Sequence, residues 1–145
     1  MHLNIDPAQT HTLEALELLF AERNHVCAAC VSNGHCELQA MAQKLGITHI
    51  DLPYRFPKMD FDSSHDLFRL DHNRCIVCTR CVRVCDEGMG VGALGVVNRG
   101  VLSEIAPSHG DHLECDECGM CIDICPVGAL TSGTYRYKTR PWEMK

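Results

Sequence analysis

The chain has 145 residues and a formal net charge of -6, a length that allows one modest domain or two small ones. Its 46% hydrophobic and 22% charged residues are an ordinary globular balance, which argues against disorder. The acidic balance argues against nucleic-acid binding, because such proteins present a basic surface. No run approaches the roughly 18 apolar residues of a membrane span, and the start lacks the features of a secretory signal. We therefore expect a cytoplasmic chain that does not cross a bilayer.

Two helices are predicted in the first third of the chain. Between residues 10 and 23 apolar side chains recur at helical spacing, and Thr10 or Thr12 is available as an N-cap. These apolar side chains are Leu13, Leu16, Leu19 and Phe20. A second helix is predicted over residues 37–45, with Gly46 ending it. We expect the first helix to pack on a small core of its own, with a docking helix as the alternative.

The middle of the chain predicts a connector and then a β-hairpin. Residues 51–71 contain Pro53 and Pro57 among alternating charged and aromatic residues, which is typical of an irregular segment between two modules. The hairpin is predicted from strands at 95–97 and 101–105, joined by a turn at 98–100. The tail, residues 135–145, is basic and carries the only tryptophan.

Cysteine content is the most informative feature of the composition. The chain has 11 cysteines, and an odd number cannot pair completely into disulfides. Without an export signal we expect a reducing compartment, where disulfides rarely persist. We therefore interpret the cysteines as metal ligands, and their spacing indicates which metal they bind.

Eight of the cysteines form two copies of the motif C-x2-C-x2-C-x3-C. The second copy is followed by Pro126 and has the full spacing of the bacterial ferredoxin motif, whereas the first copy has Asp86 in place of the proline. In this motif three thiolates on a tight loop bind one cluster and the fourth binds the neighbouring cluster. The predicted ligand sets are Cys75, Cys78, Cys81 and Cys125 for one [4Fe-4S] cluster, and Cys115, Cys118, Cys121 and Cys85 for the other. Zinc is the alternative, but zinc sites take two close ligands from each of two knuckles and leave a third cysteine unused.

The remaining cysteines, Cys27, Cys30 and Cys36, are one ligand short of a cubane cluster. Three clusters of four ligands need one donor more than the 11 cysteines supply. His25, two residues before Cys27, is the predicted additional ligand, although His35 also adjoins Cys36. A three-cysteine site with an open iron and a zinc site completed by histidine are the alternatives. A neutral imidazole makes the cluster one unit less negative, so we expect easier reduction than for an all-thiolate cluster in the same surroundings.

Three segments carry a resemblance to a known family: NHVCAACVSNGHCELQ at residues 24–39, DHNRCIVCTRCVRVCDE at 71–87 and CIDICPVGAL at 121–130. Together they resemble the ferredoxin-like diaphorase (gamma) subunit of NAD-linked bidirectional nickel-iron hydrogenases. Related segments occur in the large iron-sulfur subunit of respiratory complex I, in NAD-linked formate dehydrogenase alpha chains and in iron-only hydrogenases. The resemblance extends from about residue 12 to residue 135.

Two departures from the family pattern bear on the site. In complex I the ligand histidine stands four residues before the first cysteine, where this chain has Arg23, and the His25 spacing is closer to the hydrogenase diaphorase form. Family members usually begin with a plant-type [2Fe-2S] domain. No cysteine precedes Cys27, so we expect that domain to be absent here. The tail resembles the link that leads into a catalytic domain in dehydrogenase-type relatives.

These features predict an α+β fold with two modules. Residues 1–70 are expected to form a small helical module, with a connector and a cluster held by one histidine and three cysteines. Residues 71–145 are expected to form a bacterial ferredoxin-like domain with two [4Fe-4S] clusters and the tail.

The resemblance implies an electron-transfer subunit without a substrate of its own. Neither a dinucleotide fingerprint nor a G-x-S-x-G nucleophile motif is present. The chain is expected to relay single electrons along three [4Fe-4S] clusters between a flavin/NAD(H) subunit and a nickel-iron hydrogenase subunit. One cluster is expected to have histidine and three cysteines as ligands, and the other two to have four cysteines each. The first alternative is a relay subunit or fragment of an NAD-linked formate dehydrogenase, with a molybdopterin partner, or of a complex-I-like assembly. The second is an iron-sulfur redox-sensing protein.

Overall fold

The structure, a computed structural model, describes residues 7–110 and 113–133. In this part of the chain the helices are α1 (Pro7–Glu22), α2 (Glu37–Lys44), α3 (Arg80–Arg83) and α4 (Met120–Asp123). The strands are β1 (Phe61–Asp62), β2 (Phe68–Asp71), β3 (Leu94–Val97), β4 (Glu104–Pro107) and β5 (Leu130–Ser132). Short turns of 3-10 helix lie at Cys27–Ala29 and Gly100–Leu102, and a π-helical turn lies at Val84–Gly88. Helices and antiparallel strands occur together, so the mixed α+β class is confirmed.

The first predicted helix is confirmed as α1, but it begins earlier than expected. It starts at Pro7, so Thr10 and Thr12 lie inside it and the N-cap prediction is wrong. Proline suits the first turn of a helix because its fixed φ is helical and its missing N–H would have no intrahelical acceptor. Leu16 is buried and Phe20 packs against the same core. The apolar face of α1 therefore packs on the core of the chain, as expected.

The second predicted helix is confirmed as α2, and Gly46 ends it. Gly46 has a φ of 70°, in the left-handed region where a residue without a Cβ is favoured. Its N–H donates to the Gln43 carbonyl at 3.1 Å, and the Ile47 N–H donates to the Ala42 carbonyl at 2.9 Å. These two bonds close the helix end in the way expected of a glycine at this position.

Part of the predicted connector is β-sheet. β2 is the central strand of a three-stranded antiparallel sheet in the order β1-β2-β5, with Leu70 opposite Leu130. The expectation of an irregular segment over 51–71 is therefore wrong at 61–62 and 68–71. The strand β5 that pairs with β2 comes much later in the chain, so no local pattern around residue 70 indicates the pairing.

The predicted hairpin forms, with a longer loop than expected. β3 pairs with β4 so that Val97 lies opposite Glu104, which places the second strand three residues later than predicted. Val101 and Leu102, expected in that strand, lie in a 3-10 turn and are exposed. The turn closes through a 3.0 Å hydrogen bond from the Ser103 N–H to the Gly100 carbonyl.

One cluster of buried apolar side chains joins both parts of the chain. Leu16 and Leu38 belong to the same cluster as Leu70 and Ile105, the last of which is only 1% exposed. β2 spans residue 70, and the division into 1–70 and 71–145 stays a prediction. Within the described residues, no helix has the length and apolar character needed to traverse a membrane. The predicted tail at 135–145 lies outside the described residues.

Candidate metal centres

The structure gathers the predicted ligands around three cavities. Cavity A is lined by His25, Cys27, Cys30 and Cys36, cavity B by Cys75, Cys78, Cys81 and Cys125, and cavity C by Cys85, Cys115, Cys118 and Cys121. The space between the protein atoms is about 330 Å3 in A, about 330 Å3 in B and about 470 Å3 in C, part of it open to solvent. All 11 cysteines are free thiols.

Cavities B and C each combine three cysteines of one motif with the last cysteine of the other. A helical run made of α3 and the π-helical turn carries Cys81 to cavity B and, one turn later, Cys85 to cavity C. The second motif does the converse, with Cys121 in α4 lining cavity C and Cys125 lining cavity B. The structure therefore brings together the same two groups of four that the spacing predicts.

The two cysteine loops share one backbone conformation. Val77 and Glu117, each two residues after the first cysteine of its motif, have φ values of 51° and 58°. Thr79 and Gly119, each one residue after the second cysteine, have φ values of 61° and 75°. Positive φ at a β-branched residue is strained, and such strain persists where the surrounding structure requires it, often at functional sites. Valine and threonine do not favour positive φ, so the residue types at Val77 and Thr79 do not predict this conformation. Only the repetition of the motif indicates that the two loops have the same shape.

Main-chain N–H groups point at three of the cysteine sulfurs. The Val77 N–H donates to the Cys75 sulfur at 3.4 Å, and the Glu117 N–H donates to the Cys115 sulfur at 3.3 Å. A third bond, from the Ala93 N–H to the Cys85 sulfur at 3.3 Å, lies in the buried wall of cavity C. Hydrogen bonds of this kind stabilise negative charge on a ligand sulfur. The sequence did not identify Ala93, because it lies outside the motif.

Three thiols of cavities B and C, those of Cys75, Cys81 and Cys121, favour their protonated form because their pKa values are raised. Burial, reinforced by the neighbouring thiols, raises the pKa of Cys81 to about 12 and that of Cys121 to about 11. Burial likewise raises the pKa of Cys75. An apolar cavity with four thiols does not hold four negative charges by itself. A bound cationic group must displace the protons, since the thiolate is the form that binds metal.

The His25 imidazole is held in its neutral form beside cavity A. It lines cavity A, and its Nε2 atom is buried without a hydrogen-bond partner. Burial first, then the positive charges of Arg74 and Arg23, lower the pKa of the imidazole from 6.5 to about 4. The ring packs edge-on against Phe20 with centroids 5.4 Å apart. A half-buried neutral imidazole with a free nitrogen beside three thiols is a donor set that suits a centre held by one histidine and three cysteines, whereas His35 is exposed and does not line the cavity.

Two arginines near cavity A lie outside the predicted ligand sets. Arg74 lines the cavity and binds the Asp71 carboxylate at 2.6 Å. Arg23 is only 4% exposed; it donates to the Met59 sulfur at 3.4 Å and to the Ser103 carbonyl at 3.2 Å. These partners are distant in sequence, so no local signal identifies Arg23 as buried.

Gly128 forms the wall where the first cysteine loop meets the second motif. It lines cavity A together with Val127, although both follow the Cys125-Pro126 pair of the second motif. A Cβ atom on Gly128 would overlap the Cys30 sulfur. The close approach therefore requires a residue without a side chain.

The donors in each cavity surround a space and do not meet at a point. In residues 7–110 and 113–133, no three His, Cys, Asp or Glu side chains lie close enough together to hold a single metal ion. A tetrahedral zinc ion brings its sulfur ligands to about 3.8 Å from one another, given Zn–S bonds of about 2.3 Å. The thiolates of a [4Fe-4S] cluster bind four different iron atoms, so they do not need to converge in that way. The four-donor cavities thus fit a polynuclear cluster.

Comparison with family models places two regions of the chain in iron-sulfur families. Residues 66–131 match the ferredoxin-like domain of NADH-quinone oxidoreductase subunit 3, and residues 14–51 match the iron-sulfur binding region of NADH-ubiquinone oxidoreductase-G. With the two cysteine motifs and their cavities, these matches identify iron-sulfur binding regions in the chain. More narrowly, the chain carries an iron-sulfur domain of the kind found in NADH-ubiquinone oxidoreductase-G and NAD-reducing hydrogenase.

Individual relatives agree with these family matches. The 75 kDa subunit of NADH-ubiquinone oxidoreductase from Acanthamoeba castellanii is 39% identical over 131 residues, which is 90% of this chain and 19% of that protein. Subunit HndD of the NADP-reducing hydrogenase of Solidesulfovibrio fructosivorans is 36% identical over 126 residues, 83% of this chain and 21% of that protein. A chain in the crystal structure of NAD+-reducing [NiFe]-hydrogenase in the H2-reduced state superposes with a TM-score of 0.81 at 34% identity, covering 94% of this chain and 60% of that one. The chain thus spans less than a quarter of either curated relative.

Proposed function

We propose that the chain relays single electrons along three [4Fe-4S] clusters held in cavities A, B and C. The observation that carries the proposal is the grouping of 11 cysteines and His25 into three sets of four donors, each around its own cavity. When bound, a [4Fe-4S] cluster takes up and releases one electron at a time. The protein holds the ligands, sets the distance between the clusters and tunes their potentials.

The proposed ligands are those predicted from the spacing. Cavity B uses Cys75, Cys78, Cys81 and Cys125, and cavity C uses Cys85, Cys115, Cys118 and Cys121. Cavity A uses Cys27, Cys30 and Cys36 with the Nε2 atom of His25. The buried, unpartnered Nε2 supports histidine as the twelfth ligand, because a buried nitrogen acceptor without a partner is costly unless something binds it.

The cavities follow one another in the order A, B, C. Val127 lines both A and B, so it lies in the wall between these cavities. Next to it, the N–H of Glu37 donates a 2.9 Å hydrogen bond to the carbonyl of Pro126. This bond joins the neighbour of Cys36 in cavity A to the neighbour of Cys125 in cavity B. Cavities B and C are joined in turn by the two cysteine-bearing helical runs, so electrons would pass through B between the ends of the relay.

Ligand type and hydrogen bonding tune the three sites differently. His25 makes the cluster of cavity A one unit less negative than an all-thiolate cluster, which favours its reduction. The N–H groups of Val77 and Glu117 stabilise negative charge on the Cys75 and Cys115 sulfurs of cavities B and C. Such bonds also raise the reduction potential of a cluster.

The proposed partners are a flavin/NAD(H)-binding subunit at one end of the relay and a catalytic nickel-iron subunit at the other. The likeness to a chain of an NAD+-reducing [NiFe]-hydrogenase over 94% of the present chain supports this choice. The similarity to the 75 kDa subunit of NADH-ubiquinone oxidoreductase supports a complex-I-like assembly as the second candidate. Co-purification tests the first candidate: a nickel-iron partner supports it, whereas a molybdopterin partner indicates a formate dehydrogenase instead.

Metal analysis of the chain purified without air tests the proposal. We expect about 12 iron and about 12 sulfide per chain and cubane EPR signals on reduction. The Cys30→Ala variant should keep about 8 iron, because only cavity A loses a ligand. Ser32→Ala, which changes a neighbouring side chain of the same cavity, is the matched control and should keep about 12. A zinc-only protein, or an iron-free protein that is well folded, would overturn the proposal.

A further inference from the structure

Arg23 is a buried cation whose hydrogen-bond partners are neutral. It follows α1 directly and is only 4% exposed. Its guanidinium donates to the Met59 sulfur and to the Ser103 carbonyl, at 3.4 and 3.2 Å. Within the described part of the chain, no carboxylate lies within ion-pair distance of Arg23. Arg74, by contrast, has its charge balanced by Asp71 at 2.6 Å.

A buried charge without a counter-charge is costly. Arginine does not escape this cost by losing its proton, because its guanidinium stays charged in proteins. The sulfur and the carbonyl that it contacts satisfy two donors but carry no negative charge. A negatively charged group close to Arg23 in the complete protein would offset the cost of burying its charge.

The surroundings of Arg23 identify that negative group. The Arg23 carbonyl accepts a hydrogen bond from the His25 N–H at 3.2 Å, so the residue lies beside the ligand loop of cavity A. Its guanidinium also bonds the Ser103 carbonyl, two residues before Ile105 in the wall of cavity B. Neither these hydrogen-bond partners nor Ile105 lines cavity C. Arg23 thus lies beside two of the three proposed cluster sites.

We propose that Arg23 is the buried counter-charge of the clusters in cavities A and B, and that it raises the reduction potentials of these two clusters without affecting the cluster in cavity C. This inference rests on the proposed electron relay. Reduction adds one electron to a cluster and breaks no bond, so a fixed positive charge nearby in a poorly solvated region favours the reduced form. Arg23 is neither a ligand nor a catalytic residue.

The test is an EPR-monitored redox titration of the cluster-loaded full chain and two variants. Arg23→Gln removes the buried charge, and Arg99→Gln makes the same change at an exposed arginine. In Arg23→Gln, two of the three clusters should show a fall of about tenfold in the reduced-to-oxidised ratio at a given potential, which is about 59 mV for one electron. The third cluster, and all three in Arg99→Gln, should not shift. Unchanged potentials in Arg23→Gln, or an equal fall of all three, would overturn the inference.

Arg23→Lys provides a second test that does not require the neutral variant to fold. Lysine keeps the positive charge and loses the guanidinium geometry, so all three potentials should stay close to those of the original chain. A tenfold fall in Arg23→Lys would show that the hydrogen bonds to Met59 and Ser103 matter and the charge does not. If the unmodified chain binds no iron, the electron-relay proposal itself fails. Three loaded clusters with potentials insensitive to Arg23 would reject only the present inference.

Discussion

Gly128 lies so close to Cys30 that a methyl group on its Cα would overlap the cysteine sulfur, and that methyl would also lie 3.1 Å from the Ser32 hydroxyl oxygen. The contact joins the segment after Pro126, which lines cavity B, to the cysteine loop of cavity A. The two ligand regions therefore pack directly against each other.

Gly128→Ala should selectively remove the cluster of cavity A. The added methyl would push Cys30 out of its place, while the four donors of cavity B and of cavity C keep theirs. Iron content should fall from about 12 to about 8 per chain. Gly88→Ala is the matched control, because a Cβ there would meet only the Val84 Cγ2 atom at an ordinary 3.4 Å. Full iron content in Gly128→Ala would contradict the close approach.

His25→Cys should lower the reduction potential of one cluster and leave the other two unchanged. A thiolate in place of the neutral imidazole adds one negative charge to the cluster of cavity A, and this opposes uptake of an electron. His35→Cys, in the same loop but exposed, should leave all three potentials unchanged. A redox titration monitored by EPR measures the reduction potentials in both variants. A shift with His35→Cys and none with His25→Cys would mean that His35, and not His25, is the twelfth ligand.

The grouping of the cysteines could be predicted because the ligand spacing is a property of the sequence itself. A repeated motif in which three cysteines bind one cluster and the fourth binds the neighbouring cluster allows few arrangements of the ligands. The sets of four cysteines that line cavities B and C are the expected ones. The helices were predictable for a similar reason, since Leu16 and Leu38 belong to local apolar patterns. Both are buried in the core.

Features that depend on distant parts of the chain escaped prediction. β2 forms because Leu70 pairs with Leu130, and no local pattern marks that pairing. Arg23 is buried by contacts with Met59 and Ser103, which its own neighbours in sequence do not reveal. The hairpin was predicted, but its loop length depends on the register that places β3 against β4. In short strands whose apolar and polar residues alternate only weakly, the sequence does not determine the pairing register.

Acid should destabilise the chain through His25. In the unfolded chain the imidazole takes up a proton near pH 6.5, whereas in the folded chain its pKa is lowered to about 4. Between these values the unfolded state binds more protons, so stability is lost as the pH falls from about 6.5 to about 4. In the cluster-loaded chain, iron bound to the Nε2 atom favours the unprotonated ring further, so the loss has the same direction.

Urea unfolding at pH 7 and at pH 4.5 checks the expected effect of His25. The His25→Ala variant should lose less stability between the two pH values than the unmodified chain. His35→Ala, which removes an exposed imidazole from the same loop, should behave like the unmodified chain. An equal loss in His25→Ala and the unmodified chain would mean that other groups cause the acid sensitivity.

Thr79 and Gly119 occupy equivalent places in the two cysteine loops, with φ and ψ of 61° and 5° at Thr79 and of 75° and -6° at Gly119. A β-branched residue in this conformation lowers the free energy of unfolding by about 1–2 kcal/mol. Glycine avoids that cost, but its greater freedom in the unfolded chain offsets about 0.5–1 kcal/mol of the gain. Thr79→Gly should therefore raise the free energy of unfolding by up to about 1 kcal/mol.

The reciprocal change, Gly119→Thr, should lower the free energy of unfolding by a similar amount. A Cβ on Gly119 would meet no atom within 4 Å, so the cost arises from the backbone and not from a clash. The urea midpoints of the two variants measure both effects, and iron content should stay at about 12 in each. If Thr79→Gly is instead less stable, the threonine side chain must contribute more in the wall of cavity B than its backbone conformation costs. The two loops would then not be equivalent in energy, although they share one shape.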